Sequence, residues 1–311
     1  MMNDNMRKIP AEKFTFVQQD KKIYDKKLET KPIGYFKDAW LRFKKDKSAV
    51  VAMWLIIILL LFAIIVPEIS DFDVLFRDGY YKTMLPKNPH FEGTGVWDGT
   101  TRSTELQAAY DYLNAIGKET GREVITDVYS VTEDANGNKL YDVRIDGYNR
   151  VGFAYLNLLQ SEYDALQQYQ LDTGIQVMYP LANTHATGYV MANGGANFWY
   201  KLADENYTTG GAALYDENGN YIPNYMTSDD PQKAGYNSQR IEGDGENGVW
   251  YTYAQKNQTG YMIRVSYYDY FVYKNGFEPV FYFGTNNFGQ DIFACLASAA
   301  RLSFIDRKSV V

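Results

Sequence analysis

The sequence predicts an α+β extracellular domain inserted after an N-terminal transmembrane helix, with the start of a second transmembrane helix at the C-terminal end. Three observations predict it. Residues 49–66 read AVVAMWLIIILLLFAIIV, without a charge or a strongly hydrogen-bonding side chain. Residues 67–283 mix helical periodicity with strand-like stretches and Asn-Gly turns. Residues 292–305, IFACLASAARLSFI, become apolar again.

The N-terminal segment, 1–33, is polar and Lys-rich and reads as an unstructured cytoplasmic tail. The composition changes at 34–48, GYFKDAWLRFKKDKS. Phe36, Trp40 and Phe43 fall at helical spacing and share a face, while Lys37, Arg42, Lys44 and Lys45 cover much of the rest. A basic helix with an aromatic face beside a membrane span is expected to lie in the interface. These three aromatics are the expected interfacial anchor.

The run 49–66 is long enough, at about 1.5 Å per residue, to cross the hydrocarbon layer of a bilayer. A buried core helix rarely stays apolar on every face for this length. The run also begins too late for a cleaved leader and no small-residue cleavage site follows it. Residues 1–48 carry 13 Lys+Arg against 7 Asp+Glu, whereas residues 67–305 carry 16 against 30. Basic residues gather on the cytoplasmic side of a span. The N-terminus is therefore expected inside and residues 67–283 outside. The one cysteine, Cys295, permits no internal disulfide, so the outer domain must rely on its own core.

Within 67–283, Leu106, Ala109, Tyr110 and Leu113 predict a helix over 104–116 with Gly117 at its end. A second helix is predicted over 162–173, with Ser161 as N-cap, Asp164 three residues on, and Gly174 as terminator. Asn-Gly pairs at 136–137, 193–194, 218–219, 247–248 and 275–276 predict hairpin turns. Their flanks, such as 140–145 and 270–283, read as strands. Of the 28 tyrosines, 26 lie in this portion, which suits half-buried sheet faces.

The most informative stretch is Gly284-Thr285-Asn286-Asn287-Phe288-Gly289-Gln290-Asp291, followed by Ala299-Ala300-Arg301-Leu302-Ser303. It resembles the signature of the second permease subunit of dipeptide and oligopeptide ABC importers. There a Gly-Thr-Asp-x-x-Gly-Arg-Asp element precedes the second membrane helix and a Gly-Ala-Arg-x-Ser element follows inside it. Gly284, Thr285, Gly289, Asp291, Arg301 and Ser303 match. Asn286 for Asp, Gln290 for Arg and Ala299 for Gly depart, the first two consistent with an ion pair replaced by amides. Residues 38–49, DAWLRFKKDKSA, resemble the element leading into the family's first membrane helix. Residues 142–181 are similar to the extracellular insertion of some Gram-positive members.

The resemblance implies a polytopic all-α membrane core in the full-length protein and a role in peptide import across the cell membrane. It implies a second permease subunit, two cytoplasmic ATPase subunits that hydrolyse the ATP, and an extracellular lipid-anchored peptide-binding protein as partners. Its signature residues are structural or gating, not catalytic. The glycines permit tight turns, Asp291 caps the second helix, and Arg301 needs a partner or a polar path. The last residues, DRKSVV, look like the translation of a sequencing adapter, so the natural frame is expected to continue past Ile305 and residues 306–311 to be an artefact. The alternative is a single-pass membrane protein presenting an extracellular ligand-binding or adhesion domain, which leaves the second apolar stretch unexplained.

Other chemistry finds little support. The Asp134-x-Asn136-x-Asn138 and Asp216-x-Asn218-x-Asn220 patterns lack the acidic twelfth residue of a calcium loop, since Ile145 and Thr227 stand there. His90 and His185 are isolated, no metal site or cofactor is expected, and no phosphate-binding loop or nucleophile elbow occurs. The acidic outer portion disfavours nucleic acid, leaving membrane lipid as the non-protein partner.

Overall fold

The computed structural model describes residues 34–182, 196–197, 199–201, 214–227, 237–242 and 249–309. The expected tail at 1–33, the Asn-Gly pairs at 193–194 and 247–248, His185, and residues 310–311 lie outside them. The chain divides into two compact units within its apolar helix, Met1–Ile58 and Leu59–Val311.

In the first unit, helix α1 (Tyr35–Lys45) buries none of its residues. Its Arg42 pairs with Asp38 one turn back at 2.8 Å. The break to helix α2 (Lys47–Ile69) falls at Asp46. The Asp46 carboxylate accepts the Ser48 hydroxyl at 2.7 Å and the Ser48 amide at 3.0 Å. It thereby satisfies donors that the first turn of α2 leaves free, and the Ser48 side-chain bond leads in holding its pKa below the ordinary value. Helix α2 carries Pro67 two residues before its end, where the missing N–H leaves the Ala63 carbonyl without its helical donor as the helix stops. Among the described residues α2 is the one helix long and apolar enough to cross a membrane. Its Val51, Leu55, Ile58, Leu61 and Ile64 are each at least half exposed. Among the described residues so broad an apolar surface is left uncovered, and it is what a bilayer-crossing helix presents.

The second unit is α+β. Strands β1 (Thr100–Leu106), β2 (Ile125–Glu133) and β3 (Lys139–Asp146) form an antiparallel sheet in the order β1-β3-β2. Helix α3 (Gln107–Thr120) connects β1 to β2 and buries Leu113 and Ile116 against Val143 and Ile145. A five-stranded sheet is built from β4 (Phe153–Leu159), β5 (Met178–Tyr179), β6 (Asn237–Glu242), β7 (Val249–Lys256) and β8 (Gly260–Ser266). Its order is β4-β8-β7-β6, with β5 also pairing β8. Helix α4 (Gln160–Thr173) follows β4 and packs Tyr163 and Leu166 onto that sheet, and helix α5 (Tyr267–Asn275) follows β8. Helix α6 spans Ile292–Ser309 and so includes residues 306–309.

Three expectations for this unit need correction. The first helix begins at Gln107, because Thr100–Leu106 pair residue for residue with Leu140–Asp146. It runs through Gly117, whose bare Cα lets the Arg122 carbonyl approach, and ends at Gly121 in the left-handed region at φ 70°. The second helix begins at Gln160, before Ser161, with Glu162 rather than Ser161 accepting the free Leu159 amide at 2.8 Å. Gly174 terminates it as expected, at φ 71°. The strand reading of 270–283 is overturned. Its Asn275-Gly276 pair is the C-terminal cap of α5, where Gly276 at φ 80° donates to the Val272 carbonyl. The left-handed conformation that Asn-Gly favours serves a helix end as well as a hairpin.

A buried cation ties the two halves of this unit together. Arg264 of β8 is fully buried and pairs with Glu119 of α3 through two bonds of 3.0 Å. It also donates to the carbonyls of Ala196 at 2.6 Å and Pro180 at 3.1 Å. The guanidinium plane lies 3.7 Å from the Phe153 ring centroid and 4.5 Å from that of Trp199. A buried charge is tolerable only when its donors are met and a counter-ion is adjacent, and both conditions hold.

Candidate functional site

The signature residues Gly284–Asp291 form one loop that meets the chain just after α2. Thr285 is buried, donates its hydroxyl to the Tyr81 carbonyl at 2.7 Å and accepts the Met84 amide at 2.9 Å. The backbone pairs as well: Thr285 donates to Met84, Thr83 to Asn286 and Asp78 to Gly289, each at 3.1 Å. Gly284 and Gly289 have φ of 74° and 72°. A Cβ at Gly284 would fall on the Met84 carbonyl, and one at Gly289 on the Asp78 carbonyl. Both glycines are thus required by conformation and by close backbone approach.

The loop itself is a repeated device. Asn286 Oδ1 accepts the amides of Phe288 at 2.9 Å and Gln290 at 3.0 Å, while the Gly289 amide donates to the Asn286 carbonyl. The same pattern holds Asp134–Asn138, the turn between β2 and β3, and Asp216–Asn220. These two carboxylates are occupied by turn donors, which lower their pKa values and explain the calcium-like spacing as hairpin chemistry. Among the described residues no cluster could hold a metal ion. At the signature the two amide side chains bond each other: Asn286 Nδ2 donates to Gln290 Oε1 at 3.0 Å. Gln290 in turn donates to the Val74 carbonyl at 2.9 Å.

Asp291 stands immediately before α6. Its carboxylate accepts the amides of Ala294 at 2.9 Å and Phe293 at 3.3 Å, which is N-capping. Burial pushes its pKa above the ordinary value, with those two bonds opposing. Further along α6, Arg301 pairs with Glu68 at the end of α2 at 2.9 Å. Ser303 donates to the Ala299 carbonyl at 3.0 Å, within the helix, and does not meet the loop residues. On α1, Trp40 and Phe43 stack at 5.5 Å with Lys44 over the Trp40 ring, whereas Phe36 contacts Tyr35 instead.

Several residues of this site carry no sequence signal of their own. Asp78 is buried, accepts the Tyr80 and Tyr81 amides at 2.8 Å, and takes the Tyr267 hydroxyl at 2.6 Å. It thereby joins the loop to α5 across 189 residues of sequence. Glu68 is the partner of Arg301; its Pro-Glu context at a helix end gives no hint of that pairing.

A long apolar helix left largely uncovered by the described residues, followed by an α+β unit whose last segment is pinned back beside it, supports a membrane location. Comparison with known proteins finds similarity over part of the chain. Residues 34–86 match the family model of the N-terminal TM domain of oligopeptide transport permease C. The dipeptide transport system permease protein DppC of Lactococcus lactis subsp. cremoris is 44% identical over 52 residues, covering 17% of this chain and 15% of that protein. The oligopeptide transport system permease protein AmiD of Streptococcus pneumoniae is 27% identical over 124 residues, covering 36% of this chain and 40% of that protein. These matches make part of the chain similar to dipeptide/oligopeptide ABC permease subunits. It spans less than half the length of these relatives. No solved structure matches it.

Proposed function

We propose that the chain is the N-terminal part of a permease subunit that imports peptides across the cell membrane. The observation that carries this reading is the pairing of a matched first membrane helix with a signature loop docked on residues 78–84. In this reading α1 lies in the cytoplasmic interface through Phe36, Trp40 and Phe43. Helix α2 crosses outward, the α+β unit is extracellular, and α6 begins a second crossing. The full protein is multi-pass. It works with a second permease subunit, two ATPase subunits that hydrolyse ATP in the cytoplasm, and an extracellular lipid-anchored peptide-binding protein. The loop's part is to fix where the chain re-enters the membrane, through backbone bonds and an N-cap rather than through charge.

The experiment is uptake of a labelled oligopeptide by cells with the gene intact, disrupted, or lacking residues 88–280. Disruption is expected to abolish uptake, and co-purification of the intact protein to retain the ATPase subunits. Unchanged uptake after disruption refutes the reading. The insertion's role in docking the binding protein is tested by the internal deletion, which is expected to weaken that affinity.

A further inference from the structure

A ladder of aromatic rings leads from α2 to an exposed loop beside the signature. Phe62 of α2 lies 5.3 Å from Phe293, Phe293 lies 5.0 Å from Phe283, Phe283 lies 6.5 Å from Trp97, and Trp97 lies 5.4 Å from Phe91. Phe62 stands four residues inside the end of the apolar run, about 6 Å along a helix axis. The far end of the ladder is open: Val96 is 68% exposed and Phe91 and Trp97 are each 39% exposed. Trp97, Phe283 and Leu85 also border a cavity of about 450 Å³ whose lining carries no charged side chain.

Two details separate this loop from an incidental apolar surface. Trp97 has φ 57°, a conformation that a bulky residue adopts only when its surroundings enforce it. The Asn88 amide bonded to its carbonyl and its own indole N–H bonded to the Tyr282 carbonyl help enforce it. The indole donor is therefore already satisfied inside the protein, so the ring can enter an apolar phase without leaving a polar group unpaired.

We propose that the loop 91–97 is a second membrane anchor, with Phe91, Val96 and Trp97 seated among lipids at the face of the bilayer where α2 emerges. The proposal rests on α2 being a membrane span. The bilayer is the occupant because the ring ladder is continuous with the helix that crosses it, and aromatic residues partition to this interfacial layer. The anchor restrains the α+β unit against the membrane at a point distinct from its covalent attachment.

The test places a polarity-sensitive fluorophore on single cysteines in a C295A background, with the full chain in liposomes. Sites are Val96→Cys, Asn136→Cys at the tip of the β2–β3 turn, and Val51→Cys in α2. The label at 96 is expected to show blue-shifted emission, quenching by lipids carrying a nitroxide near the headgroup, and loss of iodide quenching. The label at 136 is expected to show iodide quenching alone. Equal iodide quenching at 96 and 136, with no lipid quenching at 96, overturns the anchor while leaving the span intact. Shielding at 96 that appears only with added transporter subunits, without lipid quenching, also overturns it in favour of a protein contact. Absence of lipid quenching at 51 overturns the span itself, and the anchor with it.

Discussion

Replacing Gly289 by Ala should damage the protein far more than the same change at Gly137 or Gly219, although all three glycines hold the same position in the same five-residue turn. Their φ values are 72°, 83° and 77°. Each substitution forces an L-residue into the left-handed region, at about 1–2 kcal/mol. At Gly137 and Gly219 nothing lies within 4 Å of the added Cβ, so that is the whole cost. At Gly289 the Cβ meets the backbone of Asp78, which is held by its own bonds to Tyr80, Tyr81 and Tyr267. For a unit of this size about 1 kcal/mol moves the unfolding midpoint by about 2–4 °C, so the two exposed turns should lose about 2–8 °C. Gly289→Ala should lose more than either. Thermal unfolding followed by the near-ultraviolet signal of the tyrosines measures this. Hydrogen exchange adds location: the Asp78 and Thr83 amides, bonded to Gly289 and Asn286, should lose protection in Gly289→Ala alone. A Gly289→Ala protein that melts with Gly137→Ala and keeps those amides protected would refute the backbone-docking argument.

Three further outcomes follow from buried polar groups. Glu119→Gln leaves Arg264 buried without its counter-ion and should cost about 3–5 kcal/mol, seen as a matching fall in denaturant midpoint; a change below about 1 kcal/mol would show that the charge is compensated elsewhere. Tyr81→Phe should be neutral or stabilising, because the buried Tyr81 hydroxyl has no hydrogen-bond partner and such a group costs about 1–3 kcal/mol; clear destabilisation in the same assay would contradict this. Burial raises the Asp291 pKa above 3.8, so its contribution to stability is fully present below the unfolded value and is lost as pH rises through the raised folded value. Asp291→Asn keeps an N-cap acceptor without the charge, and should flatten that part of the pH–stability curve and raise stability at neutral pH; an unchanged curve would count against the assignment.

What could be read in the sequence was local. The run 49–66 needs no context to be recognised as apolar on all faces, and Asp134–Asn138 specifies its own turn. Gly174 terminates a helix because the side-chain pattern before it is helical. The failures have a common physical cause. Whether Thr100–Leu106 is strand or helix is settled by pairing with β3, a partner some forty residues away. Asn275-Gly276 is compatible with a hairpin and a helix end, and only the packing of Tyr267, Tyr268 and Phe271 decides between them. The signature loop was legible as residues but not as a docked element. Its partners are the main-chain carbonyls of Tyr81 and Met84 and the main-chain amides of Asp78 and Thr83, which no side-chain pattern encodes. The Arg264–Glu119 pair was invisible for the same reason, since charge in a strand ordinarily marks an exposed face.

The α+β unit begins and ends in one place. Phe72 stacks on Phe281 at 4.4 Å, the Lys87 amide bonds the Phe281 carbonyl at 2.9 Å, and Thr285 closes the join at Tyr81 and Met84. The segment between Lys87 and Phe281 thus leaves and returns at one clasp, and Tyr148 and Tyr267 within it also bond Leu85 and Asp78 outside it. Length can be added or removed at turns remote from Tyr148 and Tyr267, such as Asp134–Asn138, without disturbing the clasp.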